Sequence, residues 1–298
     1  MTTRLAAQLA ALRDANGLTR SVGFIETRLP SVRLFWSDVS IARAPLSYAP
    51  GIAIIMSGKK VGYLDDRRLE YASGQYLAVG LPLFFECETF ASKSSPLIGV
   101  FLDADFDLLQ SIARDMAVHE VPILPSRPVL GIEPLTMPER MRDAASRLVG
   151  HLLDPTETAV LAPGTLREIF FHALQDKHGC VLLSHSQSGG PGATINGLLR
   201  TIDKRSADFP NVNELARAAG MSSASFHRHF KTVTGHSPLQ YFKRKRLTRA
   251  KSLLVHGGMG VAEAAHRVGY ASASQFSRDF TAYFGVPPSQ ADMSPYPT

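Results

Sequence analysis

Arg228 and Arg278 stand 50 positions apart, and each lies two residues before a phenylalanine, Phe230 or Phe280. A guanidinium carries a planar fork of donors that fits guanine O6/N7, or a phosphate, in bidentate fashion. On a helix a step of two residues turns about 200°, so if the phenylalanines face inward the arginines face outward. Ala224 and His227 lie on or beside that outward face in one copy; Ser274 and Ser277 do so in the other. Ser223 and Gln275 precede it, and Lys231 adds a cation suited to phosphate. The alternative is a pair of ordinary solvated faces. His227 and His229 are poor metal partners, because i, i+2 side chains on a helix diverge.

Two short helical units must position these residues. In the first, Leu215, Ala216 and Ala219 form an apolar stripe, Gly220 supplies a turn, and Ser222 or Ser223 can cap the next helix. That helix carries Phe226 and Phe230 at i, i+4 and closes at Gly235, before Pro238. Phe226, Phe230, Gly235 and Pro238 recur as Phe276, Phe280, Gly285 and Pro288. Gly220 recurs as Gly269, an offset of 49, so the second turn is one residue longer. The pattern predicts two helix-turn-helix units over about 211–235 and 261–285. Pro238 to His256 reads as one joining helix of roughly 28 Å, a spacer near the ~34 Å of one DNA turn. It carries the basic run Lys243-Arg244-Lys245-Arg246. Lys243 fits a phosphate contact, and Arg246 a structural ion pair.

Charge separates this region from the rest. Residues 1–185 hold 18 Lys/Arg against 20 Asp/Glu, whereas residues 186–298 hold 14 against 6. Only the second part suits a polyanion. Ser184 to Ala193, SHSQSGGPGA, cannot bury a core and reads as a linker. The domains expected are 1–184, a linker at 185–193, and 194–298. Two cysteines, Cys87 and Cys180, do not make a disulfide framework, which suits a reducing cytoplasm. No window holds the ~20 apolar residues of a membrane span, and residues 3–14 read as a short helix without a signal-peptide core.

From Val22 to about Asp103 the pattern is one of short strands, including the apolar run Gly51 to Met56. Their spacing favours a small barrel or sandwich. Such a scaffold is either filled by its own side chains or open to one small ligand, with Ile52, Ile54, Tyr63, Tyr76, Phe84 and Phe101 as candidate effector contacts. Which face of the Ile52/Ile54 strand turns inward stays open. Arg28, Arg33, Arg67 and Arg68 are either cations for an anionic effector or surface charges. The first histidine is His119, beyond the strands, so no metal or other cofactor is expected in the barrel. Helices are expected over 106–116, 138–153 and 163–177, the last with the stripe Leu166, Ile169, Phe170 and Leu174. That stripe packs on its own barrel, forms a dimer, or does both.

The tandem units resemble the AraC/XylS family of transcription regulators over roughly Ile195 to Gln290. Arg246-Leu247-x2-Ala250-x2-Leu253-Leu254 resembles that family's linker helix, and the Phe-x3-Phe-x4-Gly-x2-Pro run closing each unit is equally typical. Gly74-Gln-Tyr-Leu-Ala-Val79-x-x-Pro82 resembles the cupin-like N-terminal domain of one subgroup. The resemblance implies a two-domain protein: an N-terminal cupin-like β-barrel with flanking α-helices, and a C-terminal all-α domain with two helix-turn-helix units joined by a linker helix. It also implies promoter DNA, RNA polymerase, a small effector and a second copy of the chain as partners, and favours an activator. The rival reading is a metal-independent cupin-type enzyme, or a small-molecule-binding protein, with an accessory nucleic-acid-binding domain. No nucleophile elbow or phosphate loop supports an enzyme, and Gly189-Gly-Pro-Gly192 belongs to the linker.

Overall fold

Alternating and continuous apolar runs between Val22 and Asp103 fold into two facing antiparallel sheets. The computed structural model describes residues 21–64, 67–123, 134–177, 179–183, 211–293 and Tyr296, with scattered positions in 7–14 and 194–202. The linker expected at 185–193 lies outside the described residues, as do Asp65 and Asp66. The first sheet has the order β1 (Val22–Glu26), β2 (Val32–Ser37), β9 (Leu97–Asp103), β4 (Gly51–Ser57), β7 (Gln75–Val79) and β10 (Leu135–Thr136). The second has the order β3 (Ile41–Tyr48), β8 (Leu83–Phe90), β5 (Lys59–Leu64) and β6 (Arg67–Ala72). The expected barrel is thus a pair of packed sheets.

Strand β4 is apolar throughout because both of its faces are covered. Ile52 and Ile54 lie under the helices on the outer face, with Tyr76, while Ala53 and Ile55 lie between the sheets. The covering helices are α1 (Phe106–Val118), α2 (Glu139–His151), α3 (Pro155–Val160) and α4 (Ala162–Gln175). Asp105 caps α1 and Asp154 caps α3 through side-chain acceptors. Leu166, Ile169, Phe170 and Leu174 of α4 are all buried in this same core, so the stripe packs on its own sheet.

The C-terminal helices are α5 (Val212–Ala218), α6 (Ser223–Thr234), α7 (Pro238–Val255), α8 (Val261–Arg267) and α9 (Ala273–Phe284). Ser222 and Ser272 cap α6 and α9 by accepting from Ser225 N and Gln275 N. Gly235 and Gly285 end them in the left-handed region, at φ 78° and 74°, where a side chain would be strained. Phe226, Phe230, Phe276 and Phe280 are buried, as their spacing required. The first unit shares a core with the sheets: Phe84 of β8 packs against Tyr241 of α7, with ring centroids 5.1 Å apart. His236 Nε2 donates to the Phe84 carbonyl at 2.6 Å, and Tyr241 donates to the Pro82 carbonyl at 3.2 Å. The second unit forms a separate cluster around Phe276, Phe280 and Phe284.

Candidate nucleic-acid interface and effector cavity

On α6, Ser223, Ala224, His227, Arg228 and Lys231 are all exposed, and Ala224 and Arg228 lie on the face opposite Phe226 and Phe230. On α9, Ser274, Gln275 and Arg278 are exposed and Ser277 is half-buried. The two surfaces differ in how far they are ordered in advance. Arg278 Nη2 donates to Gln275 Oε1 at 2.8 Å, and Gln275 Nε2 donates to Asp279 Oδ1 at 3.0 Å. Tyr270 donates to Asp279 Oδ2 at 3.1 Å. Lys243 Nζ of α7 pairs with Asp279 at 2.8 Å, so this lysine ties the joining helix to α9. Burial pushes the Asp279 carboxyl up, but the bonds from Lys243, Tyr270 and Gln275 prevail and hold it below the ordinary value. Asp279 was missed in the sequence because its counterpart in the first unit is His229, whose Nδ1 donates to the Ser225 carbonyl at 2.8 Å. Arg246 lies over the Tyr270 ring, 5.0 Å from its centroid.

A cavity of about 490 Å³ opens between the sheets and α7. Its walls are mostly apolar, including Phe24, Phe35, Trp36, Ile41, Leu46, Tyr48 and Leu97. Gly23 leaves room for Trp36, since a Cβ there would sit 1.7 Å from the indole ring. Of the six expected effector contacts, Phe84 and Phe101 line the cavity. The other four do not, and that expectation is corrected. Ile52, Ile54 and Tyr76 face the helices, where Tyr76 donates to Asp176 at 2.8 Å. Tyr63 lies on the outer side of its sheet, donating to Glu88 at 2.6 Å under the Arg43 guanidinium.

The cavity is lined by the cations Arg33, Lys60, Lys245 and Arg249, with no carboxylate among its lining residues. Of the expected cations, Arg33 alone is among them, paired with Asp103 and stacked 4.6 Å from the Phe101 centroid. Lys60 is only 3% exposed, and its Nζ faces the rings of Phe35, Tyr48 and Tyr296. Burial pulls its ammonium down, but neighbouring Tyr48 and Cys87 more than offset this, so it stands above the ordinary lysine value. The one signal for Lys60 in the sequence was strand alternation, which puts it on the same face as Gly62 and Leu64. Lys245, Thr248, Arg249 and Ser252 form one face of α7 over the cavity. The helix joining the two units therefore forms a wall of the cavity.

Nearby, Lys251 of α7 is 2% exposed and donates to the Tyr296 carbonyl. Burial pulls its ammonium from 10.5 down to about 8. Between those values the unfolded chain binds the extra proton, so stability rises with pH through this window, and below about pH 8 the full cost of burying the charge is present. Burial pushes the phenols of Tyr71, Tyr76 and Tyr296 up, so they keep protons that the unfolded chain sheds near pH 10. Stability therefore turns down above that pH. Urea midpoints should rise from pH 8 to 10 by an amount worth up to about 3 kcal/mol, and Lys251→Met should flatten that rise. An unchanged rise in the variant would show that Lys251 is not its source.

A profile for the AraC-type transcriptional regulator N-terminus matches residues 28–181, and one for a helix-turn-helix domain matches residues 215–292. The chain is 26% identical over 203 residues to the virulence regulon transcriptional activator VirF of Yersinia enterocolitica, covering 67% of this chain and 71% of that protein. It is 33% identical over 94 residues to the transcriptional activator RhaS of Escherichia coli, covering 32% of this chain but only 34% of that relative. Among solved structures, ToxT from Vibrio cholerae aligns with a TM-score of 0.62 at 12% identity, covering 93% of this chain and all of that one. ToxT with an unsaturated fatty acid bound aligns at 0.60, also at 12% identity, covering 92% and 96%. At that identity the likeness is one of fold.

Proposed function

This chain belongs to the family of AraC-type transcriptional regulators, and we propose that it reads two successive major-groove segments of a promoter under the control of a small, largely apolar anion. As a member it is a helix-turn-helix, DNA-binding regulator of transcription. In the proposal, Arg228 and Arg278 contact base edges. His227, Ser274, Gln275 and Ser277 assist beside them. Ser223, Ala224 and Lys231 lie against the backbone, where contacts position without specifying.

The observation that carries the control is the shared wall. Helix α7 joins both units and closes the cavity with Lys245, Thr248, Arg249 and Ser252. An occupant of the cavity therefore touches the element that sets the relation of the two reading helices. Phe84 gives a second route, since it lines the cavity and packs on Tyr241, which in turn packs on Phe230 at 5.4 Å. Apolar walls with cations and no carboxylate suit an anion carrying an apolar body. The fatty acid bound by ToxT supports this class, and the activators among the relatives support activation. RNA polymerase is the partner an activator of this kind would engage, and a second copy of the chain would pair half-sites.

Selection from random duplexes followed by footprinting tests the reading. The full chain should protect one discrete site of roughly 20 base pairs, two adjacent turns, and protection should weaken steeply with salt. Uniform protection with no selected sequence would instead indicate a sequence-indifferent binder.

A further inference from the structure

We propose that Tyr296 is a built-in occupant of the effector cavity, latching the second helix-turn-helix unit to the sheets until an anionic effector displaces it. The proposal rests on the reading of the cavity as the effector site. Tyr296 follows the last helical turn of the second unit, Pro288–Met293, yet it is 4% exposed and packs in the core between the two sheets. Its hydroxyl donates to the Cys87 carbonyl at 2.9 Å and meets Thr89 Oγ1 at 3.0 Å, 207 residues away in the chain. Its ring lies 4.8 Å from Lys60 Nζ, nearer than those of Phe35 and Tyr48. Its carbonyl accepts from Lys251 of α7. One residue thus holds the buried cation of the cavity and the joining helix at once.

The two roles exclude each other. A carboxylate on Lys60 needs a charge-assisted contact near 2.8 Å, inside the shell where the Tyr296 ring now faces the ammonium. Such a bond is stronger than a ring face can supply, so an anion entering the cavity takes Lys60 from Tyr296. Displacing Tyr296 also removes the carbonyl that Lys251 holds. Helix α7 then loses one tie to the sheets, and the second unit is released with it. The latch makes the cavity sense its ligand through a residue of the DNA-binding part itself.

Trp36, the single tryptophan of the chain, lines the cavity and reports its occupancy by fluorescence. Sodium oleate, an anion with an apolar tail, is the probe, titrated into the full chain, Tyr296→Ala and Tyr296→Phe. Tyr296→Ala should bind oleate at least about tenfold tighter than the unaltered chain. Its affinity for the selected DNA site without oleate should equal that of the unaltered chain saturated with oleate. Tyr296→Phe, which keeps the ring and loses both hydroxyl bonds, should bind oleate about threefold tighter, and it decides the matter if the alanine variant does not fold. Equal oleate affinity in all three proteins would overturn the latch and leave the cavity reading intact. No response of Trp36 to oleate in any of them would overturn the cavity reading and the latch together.

Discussion

Arg228→Ala and Arg278→Ala should each weaken binding to the selected site by about 1–3 kcal/mol, and the double variant by about 2–6 kcal/mol. The two arginines sit on different helices, α6 and α9, in units with separate cores, so their losses should add. Each loss should relax preference at its own base step, because the wrong base then costs no more than the right one. Lys231→Ala should instead weaken binding to all sequences alike and lower the salt slope by about one. Gln275 adds a discriminating control. It accepts from Arg278 at 2.8 Å, so Gln275→Ala and Arg278→Ala should be markedly non-additive. Competition binding against single-base variants of the site measures all of these. Arginine variants with unchanged site affinity would show that the outward faces are not the reading faces.

Phe280→Ala should cost about 3–5 kcal/mol and abolish specific binding while sparing the sheets. Phe280 is fully buried, with its ring centroid 5.5 Å from that of Phe276 and 4.6 Å from that of Phe284. This cluster draws on α7, α8 and α9 and on Ala291, with no strand residue among its buried members. Truncation there should melt the second unit alone, and Trp36 should still respond to oleate. Phe230→Ala belongs to a cluster that includes Phe84, so it should also disturb the cavity. Urea unfolding followed by helical circular dichroism, alongside Trp36 fluorescence, separates the two. A Phe280 variant that loses both signals in one transition would show that the second unit is not an independent core.

Much of the C-terminal architecture was present in the amino-acid sequence. Phe226 and Phe230 at i, i+4, with their repeats at 276 and 280, give a helix only one face to bury, so the opposite face is determined with it. Gly235 and Gly285 mark the helix ends because the left-handed region excludes most other residues. These are local rules, and each spans a few residues. The same locality explains the errors in the sheets. Alternation assigns Ile52 and Ile54 to one face of β4 and Ala53 and Ile55 to the other, but both faces are apolar because both are covered. Periodicity says which residues share a face and is silent on what lies opposite.

The cavity was decided by tertiary structure alone. Lys60 was not singled out in the sequence; β8 places Thr89 opposite it and the distant Tyr296 covers it. Lys245 reads as part of a basic run until α7 lies across the mouth of the sheets and brings it, with Arg249, to the cavity wall. The sequence by itself determined two helical reading faces and the helix that joins them, because each depends on spacing within one segment. Only the packed chain determined that this helix walls a cationic cavity, because that depends on segments about 200 residues apart, and no local period carries information over such a distance.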